Sequence, residues 1–319
     1  MNPYGNLYRS PATLLSAGFQ EVTVSIRNMR GDSLAESFLK PLEITKLIRR
    51  VCGGSQGWMV QCEDGQFYLA KFAGNPQGSR TLVNEWIVSH VMNNLGICTP
   101  RVRILTLPKT LQEVAKLHFS LQNKNVPVSG DLHFGSLYPV NPETTVIFDM
   151  LPATVLPKLK NIADFGATWV LDKWLYNTDK RQSIFARAKS ASGLALQAFM
   201  IDNGMCFNGS HWEIRDETFA MPDWNYSVYQ KLNMEAECDR SVGKIQRMAP
   251  DVLCAATRSV PAHWLAPNDR ECLDALMDSV LKRQKNLSSI IARHLTSLAS
   301  LKPFGVRVNG SSGVPTPSS

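Results

Sequence analysis

Two short, mostly apolar runs of residues, 58–62 and 66–72, lie on either side of a tight polar turn. The turn contains Asp64 and Gly65, and this dipeptide accepts the positive backbone angles that two-residue hairpin turns require. The pattern therefore predicts a β-hairpin. Residues 101–105 predict a further strand that completes the same small sheet.

Helical spacing begins after this hairpin. Apolar residues recur every four positions from Val83 to Leu95, and Gly96, a common helix stop, follows directly. A second apolar segment, residues 165–175, is also helical in character and gives way to the polar residues 177–182. The sequence thus predicts two helices, the second of which ends in a polar loop.

The region between the two helices is less regular. Residues 109–128 have a mixed polarity that indicates a helix, and residues 129–139 are predicted to form a loop that contains His133. His133 is a candidate catalytic residue, but a loop histidine with satisfied hydrogen bonds is the preferred interpretation. Residues 144–152 are predicted to form a buried strand that connects two parts of the chain.

The distribution of these elements predicts an α+β fold with two lobes. We expect a small β-rich N-terminal lobe at residues 43–148 and a larger, mostly helical C-terminal lobe at residues 149–300. Residues 1–42 are predicted to be a leader segment. The Gly-, Ser- and Pro-rich residues 301–319 are predicted to be a disordered tail.

Composition excludes several classes of protein. The chain of 319 residues is 44% hydrophobic and 19% charged, which is typical of a globular protein. No apolar run is long enough to cross a bilayer and the N-terminus lacks the apolar core of a signal peptide, so we expect a cytoplasmic protein without membrane contact. The seven cysteines include no CxxC pair and are expected to be reduced. The net charge of +7 is spread along the chain, which argues against direct nucleic-acid binding.

Two aspartates are the main candidates for chemistry. Asp179 lies in the polar loop after the second helix, and Asp202 follows residues 194–201, an apolar run that predicts a buried strand. Transfer of a phosphoryl group needs one carboxylate that orients or deprotonates the acceptor hydroxyl and another that holds magnesium. The two aspartates match these roles. The alternative is that both are ordinary turn formers.

A loop of small residues precedes the hairpin and contains Gly53, Gly54, Ser55 and Gln56. The backbone amides of such a loop can bind phosphate without interference from side chains. A plain connecting loop has the same composition, so the loop alone does not decide between the two interpretations.

Lys71 shares one face of its predicted strand with apolar residues, where a lysine requires an anionic partner. The candidate partners are a nucleotide phosphate and Glu85, which lies on the helix that follows. A strand lysine followed by a helix glutamate is the arrangement that positions phosphates in protein kinases. The alternative is an edge-strand lysine and a solvated glutamate.

Several short motifs, taken in order, resemble the HipA-like kinases, bacterial proteins with a protein-kinase-like fold. The resemblance runs from about Ile44 to Leu298. Its motifs are Gly53-Gly-Ser-Gln56, Tyr68-Leu-Ala-Lys-Phe72, Gly74-Asn-Pro-Gln-Gly78, Asn84-Glu-Trp86, His133-Phe-Gly-Ser136, Asp172-Lys-Trp174, Asn177-Thr-Asp-Lys-Arg-Gln182 and Ile201-Asp-Asn-Gly204.

The resemblance implies a bilobal protein-kinase-like fold and a serine/threonine kinase that depends on ATP and Mg²⁺ and acts on a protein substrate. It assigns phosphate binding to Lys71, the catalytic base to Asp179 and a metal ligand to Asp202. A toxin role or an antitoxin partner is not carried over, because the chain is most similar to the uncharacterised branch that has only this domain.

One position departs from the kinase pattern. Kinases have a magnesium-binding asparagine five residues after the catalytic aspartate, and Ile184 occupies that position here. Gln182 is the nearest polar substitute. Two functions therefore stay open: an active phosphotransferase, and a nucleotide-binding pseudokinase that serves as an interaction or regulatory module.

Overall fold

The computed structural model describes residues 40–190, 193–215 and 226–300. The strands are β1 (Leu42–Arg50), β2 (Trp58–Cys62), β3 (Phe67–Lys71), β4 (Val102–Thr106), β5 (His118–Leu121), β6 (Lys124–Pro127), β7 (Leu132–Leu137), β8 (Gln182–Ser190) and β9 (Gly193–Ile201). The α-helices are α1 (Arg80–Leu95), α2 (Lys109–Ala115), α3 (Ala163–Trp174), α4 (Tyr226–Tyr229), α5 (Met234–Arg247), α6 (Pro250–Arg258), α7 (Asp269–Lys285) and α8 (Leu287–Ser300). Short 3₁₀ helices span Leu156–Lys158, Cys206–His211 and Ala262–Trp264. The predicted tail, and the predicted leader up to residue 39, lie outside the described residues.

Five strands of the N-terminal half form a small closed barrel in the order β1-β2-β3-β7-β4. β4 closes the barrel by pairing in parallel with β1, whereas the other pairs are antiparallel. The predicted hairpin is confirmed as β2 and β3, in which Trp58 lies opposite Ala70. Lys71 therefore ends a strand that has neighbours on both sides.

Two predictions for the N-terminal half were wrong. Residues 109–128 are not one helix, because α2 ends at Ala115 and β5 and β6 follow as an antiparallel hairpin. The turn of that hairpin uses Gln122 and Asn123, with φ of 43° and 64°. Residues 129–139 are not a loop either, since they contain the barrel strand β7, which buries His133 and Phe134.

The predicted connecting strand at residues 144–152 was also wrong. Only Phe148 pairs there, as an isolated bridge to Phe185 of β8. Val146 and Met150 are 55% and 64% exposed, so the segment is not buried. An apolar run without a second strand to pair with does not satisfy its backbone groups as a strand.

α1 links the barrel to the helical half. The predicted stop is confirmed, because Gly96 follows the helix with φ of 74°, a conformation that glycine adopts without strain. α1 is buried on nearly all sides, and its apolar residues share one core with residues of α3 and of α5 to α8. Both helices predicted from the apolar spacing are confirmed as α1 and α3.

The C-terminal half positions the second part of the site. α3 ends at Trp174, a polar loop follows, and β8 and β9 form a hairpin in which Gln182 lies opposite Ile201. The loop after α3 and the end of β9 are therefore adjacent. The predicted bilobal α+β architecture, a β-rich N-terminal part and a helical C-terminal part, is confirmed. In the described ranges, no helix has both the length and the apolar character that a membrane crossing requires.

Candidate active site

A cavity of about 240 Å³ lies where the barrel meets the C-terminal half. Eight of the nine predicted site residues line it: Gly53, Gly54, Ser55, Lys71, Glu85, Asp179, Gln182 and Asp202. The ninth, Gln56, does not line the cavity. The fold thus brings together residues that are up to about 150 positions apart in the sequence.

The glycine-rich loop, residues 51–57, forms the barrel side of the cavity. The Val51 amide donates to the Gly57 carbonyl at 2.8 Å and closes the base of the loop, and the Gln56 amide donates to the Gly53 carbonyl at 3.1 Å within it. A Cβ atom at Gly57 would lie 2.8 Å from the Ala70 carbonyl oxygen, so only glycine allows this approach to β3. The small residues therefore set the position of the loop.

Lys71 forms the centre of a charged cluster. Its Nζ contacts Glu85 Oε1 in a short ion pair and Asp202 Oδ1 at 3.0 Å. The side chains of Lys71 and Glu85 are only 12% and 5% exposed. The alternative of an edge-strand lysine and a solvated glutamate was therefore wrong.

Burial and charge act in opposite directions on the pKa values of this cluster. Burial lowers the pKa of Lys71, but the carboxylates of Asp202 and Glu85 outweigh it, so the pKa is raised and the ammonium is fully charged. Burial is the dominant effect on Glu85 and raises its pKa despite Lys71. For Asp202, burial is outweighed by Lys71 and the pKa is lowered. Asp202 is thus the carboxylate of the cluster that is held in its ionised form.

Asp202 directly follows β9 and has a positive φ of 62°, which is uncommon for a residue other than glycine. Its Oδ2 accepts a hydrogen bond from Gln182 Nε2 at 2.9 Å, and the next backbone amide, that of Asn203, donates to Glu85 Oε2 at 3.0 Å. The side chain of Asp202 is 31% exposed toward the cavity. Its carboxylate is therefore oriented by Lys71 and Gln182 and still accessible.

The loop that contains Asp179 is held in place by the buried ion pair of Arg181 and Asp172. Arg181 Nε donates to Asp172 Oδ2 at 3.1 Å, and Asp172 Oδ1 accepts from Asn177 Nδ2 at 3.0 Å. The Asp179 amide in turn donates to Asn177 Oδ1 at 3.1 Å. This chain of contacts leaves the Asp179 side chain exposed at the cavity.

Arg181 also connects this loop to the end of β9. Its Nη1 donates to the Ile201 carbonyl at 2.9 Å and to Asn203 Oδ1 at 2.6 Å. Asp179 and Asp202 are therefore fixed relative to each other by one buried guanidinium, whose planar fork of donors suits several acceptors at once.

Asn84 fixes the segment that follows Asp202. It is fully buried, and its Nδ2 lies 2.8 to 2.9 Å from the carbonyl oxygens of Gly204, Cys206 and Gly209. Its Oδ1 accepts from Trp212 Nε1 at 2.8 Å. Because Asn84 precedes Glu85 on α1, the helix and the Asp202 segment are joined at adjacent positions.

Sequence reasoning gave no role to Asp172, Arg181 or Asn84. All three belong to the motifs on which the family resemblance rests, and that resemblance was the main indication of their importance. An acid before the end of a helix and an arginine in the loop after it also have complementary charges. Which buried acceptors they meet depends on the tertiary fold.

His133 does not line the cavity. It is buried in β7, its Nδ1 accepts from the Ala73 amide at 3.1 Å, and burial lowers its pKa to about 4. Within the described ranges, its Nε2 has no hydrogen-bond partner. The preferred interpretation of a histidine with satisfied hydrogen bonds thus holds for one ring nitrogen only.

The donor atoms at the cavity fit a hard divalent cation such as Mg²⁺. Such a cation takes oxygen ligands, and Mg²⁺ commonly uses one or two carboxylates together with water and substrate phosphates. Asp202 and Asp179 offer carboxylates and Gln182 an amide oxygen. In the described part of the chain no group of three His, Cys, Asp or Glu side chains is placed to hold a metal, so phosphates and water would have to complete the coordination.

A family model described as HipA-like kinase matches residues 44–292. The chain belongs to the HipA-like kinase family. The match includes every residue of the charged cluster and both aspartate-bearing segments. A search of curated proteins finds no match.

Among solved structures, the chain is similar to the Helicobacter pylori proinflammatory kinase CtkA, with 13% identity, 82% of this chain and 97% of that chain covered, and a TM-score of 0.47. It is also similar to hydra Fam20 with sugar, with 14% identity, coverage of 86% and 95%, and a TM-score of 0.48. A third similar structure is the Golgi casein kinase with Mn/ADP bound, with 13% identity, coverage of 79% and 76%, and a TM-score of 0.41.

Proposed function

We propose that this HipA-like kinase is an active phosphotransferase that uses ATP and Mg²⁺ to phosphorylate a serine or threonine hydroxyl of a protein. The observation that carries the proposal is the contact of Lys71 with both Glu85 and Asp202 in a cavity that also contains Asp179. A charged lysine between two carboxylates is oriented before any ligand binds, and phosphate oxygens are its natural additional partner.

Each group has a separate role in the proposed reaction. The amides of the glycine-rich loop and the Lys71 ammonium bind the phosphates of ATP. Asp202 and Gln182 would hold Mg²⁺, which would neutralise charge on the phosphate oxygens. A bond forms between the acceptor oxygen and the γ-phosphorus while the bond from that phosphorus to the β,γ-bridging oxygen breaks. Asp179 accepts the proton of the acceptor hydroxyl.

The geometry supports this division of labour. Asp179 is exposed and has no ion-pair partner among the described residues, so its carboxylate is available to a hydroxyl that approaches from solvent. Asp202 is partly buried, and its pKa is lowered, which keeps it ionised as a metal ligand must be. The two aspartates lie at one cavity but in different electrostatic surroundings.

A second function, a nucleotide-binding pseudokinase that acts as a regulatory module, is favoured by one observation. Ile184 is 3% exposed and lines the cavity at the position where kinases have a metal-binding asparagine. Both functions require nucleotide binding, and only the first requires turnover.

The test follows γ-labelled ATP and measures transfer of the label to water or to the chain itself, together with ATP binding by calorimetry. We expect Asp179→Asn to reduce transfer by about 10²–10⁴-fold, as for loss of a general base, while ATP affinity stays nearly unchanged. Asp202→Asn should reduce transfer and also weaken Mg²⁺-dependent binding. Asp278→Asn, at an exposed position of α7, is the control.

Equal loss of ATP binding in the Asp179 and Asp202 variants would contradict the assigned roles. ATP binding without any transfer by the wild type would favour the pseudokinase.

A further inference from the structure

Gln56 is the one predicted nucleotide-binding residue that does not line the cavity, and its side chain bonds to β5. Its backbone has a positive φ of 50°, which is uncommon for a residue with a side chain. Gln56 lies at the end of the glycine-rich loop between the cavity-lining residues Ser55 and Gly57, and its amide donates to the Gly53 carbonyl at 3.1 Å. A strained conformation of this kind persists only where surrounding contacts determine it.

The contacts that determine it lie on β5. The Ser120 amide donates to Gln56 Oε1 at 2.9 Å, and Gln56 Nε2 donates to the Ser120 carbonyl at 2.8 Å. The side-chain amide therefore makes the same pair of bonds with Ser120 that a residue of a neighbouring strand would make. Arg50 at the end of β1 also donates to Oε1, which orients the amide group.

The hairpin that receives these bonds is firmly attached to the barrel. Leu117, Phe119 and Val128 are 3%, 1% and 2% exposed and belong to the apolar core of the barrel. The Val128 amide donates to the Leu117 carbonyl at 3.0 Å and extends the pairing of β5 with β6. Gln56 thus joins the glycine-rich loop to a part of the molecule that is packed into the core.

We propose that Gln56 is a positioning residue that fastens the glycine-rich loop to the β5–β6 hairpin and so prepares the loop for the nucleotide, without contacting the nucleotide itself. The inference rests on the proposed function, because it concerns the same cavity. A loop that is ordered before binding loses less conformational freedom when the ligand arrives, which increases affinity. The effect should therefore appear in nucleotide affinity and not in the turnover rate at saturation.

The experiment compares Gln56→Ala, Ser120→Pro and the double variant. Ser120→Pro removes the backbone donor that faces Gln56 Oε1. We measure the Kd of a non-hydrolysable ATP analogue with Mg²⁺, and KM and kcat for ATP. We expect each single variant to raise Kd and KM roughly tenfold, which corresponds to about 1.4 kcal/mol, with kcat little changed. The double variant should bind the analogue no more weakly than Gln56→Ala alone, because the bond that Ser120→Pro removes is already lost in Gln56→Ala. Gln66→Ala, an exposed glutamine on the same barrel, is the control.

A second measurement does not depend on nucleotide or on the fold of the proline variant. In the ligand-free protein, hydrogen exchange of peptides that cover residues 51–57 should be faster in Gln56→Ala than in the wild type. Exchange of peptides that cover residues 118–121 should also be faster. Unchanged exchange would overturn the proposal.

The binding measurements can also overturn the proposal. Weaker nucleotide binding by Gln56→Ala together with unchanged binding by a folded Ser120→Pro would mean that the bond from the Ser120 amide does not position the loop, which overturns the proposal. Fully additive effects of the two substitutions would overturn it as well. If the wild type does not bind the analogue at all, the proposed function fails. If the wild type binds it and the variants bind it equally well, only the positioning role of Gln56 is refuted.

Discussion

Gln182 and Ile184, both on β8, are the two residues that bear on whether a side chain other than an aspartate can contribute to Mg²⁺ coordination at the site. Gln182 bonds to Asp202 Oδ2 at 2.9 Å, whereas Ile184 is 3% exposed and lies opposite Phe199 of β9. An isoleucine cannot ligate Mg²⁺, which requires oxygen donors. Gln182 is therefore the one side chain of this pair that can orient Asp202 and contribute an oxygen.

We expect Gln182→Ala to lower the turnover rate and to raise the Mg²⁺ concentration needed for half-maximal activity. Ile184→Asn should not increase activity, because a buried amide without partners costs on the order of 1–3 kcal/mol. A Mg²⁺ titration of ATP turnover measures both effects. Gln197→Ala is the control, since Gln197 lies on the same hairpin but bonds to Cys98 Sγ.

A titration curve for Gln182→Ala that overlays the wild type would exclude a metal-related role for Gln182. Faster turnover by Ile184→Asn would indicate that the chain has lost a metal ligand and resembles a pseudokinase.

At the scale of elements, the parts with strong local signals were predictable. β2, β3 and the end of α1 follow from Asp64-Gly65 and Gly96, because each turn or stop is encoded within a few residues. The β5–β6 hairpin was missed because β6 is exposed along its whole length and carries no alternation of apolar residues. Its turn, Gln122-Asn123, contains no glycine.

The residues of the site could be predicted from the sequence, but the hydrogen bonds and ion pairs that hold them in place could not. Lys71, Glu85, Asp179 and Asp202 could be identified from residue type, predicted element and family resemblance, and the fold brings them to one cavity. The bonds of Arg181 to the end of β9 could not be identified, because they join segments whose relative position is decided by tertiary packing. The bonds of the Gln56 side chain to Ser120 could not be identified either, because they join residues 64 positions apart that tertiary packing brings together.

At the scale of the whole molecule, buried histidines couple stability to pH. Burial lowers the pKa of His133 to about 4, and burial together with Lys173, Arg283 and Arg293 lowers that of His294 to about 4. In the unfolded chain a histidine has a pKa near 6.5. Between these values the unfolded state binds more protons than the folded state, so the free energy of unfolding falls as pH decreases from about 6.5 to 4.

We expect each of these histidines to lower the free energy of unfolding at pH 5, relative to pH 7, by about 2 kcal/mol. Loss of the ionised Asp202 adds to this at still lower pH, whereas the raised pKa of Glu85 opposes it. Urea unfolding at the two pH values measures the difference. In His133→Gln the difference should shrink, whereas His263→Gln, at an exposed position, should retain it. An unchanged difference in His133→Gln would contradict the assignment.

The central claim is that the Lys71 cluster and the glycine-rich loop form an ATP site, and thermal unfolding with and without Mg-ATP tests it most directly. A ligand at 100 times its Kd stabilises the folded state by about 2.7 kcal/mol, which for a chain of this size raises Tm on the order of 5 °C. We predict this rise for the wild type and for Lys46→Ala, an exposed lysine of β1, and a much smaller rise for Lys71→Ala, each relative to its own ligand-free Tm. No rise in the wild type at millimolar Mg-ATP, or an equal rise in Lys71→Ala, would contradict the claim.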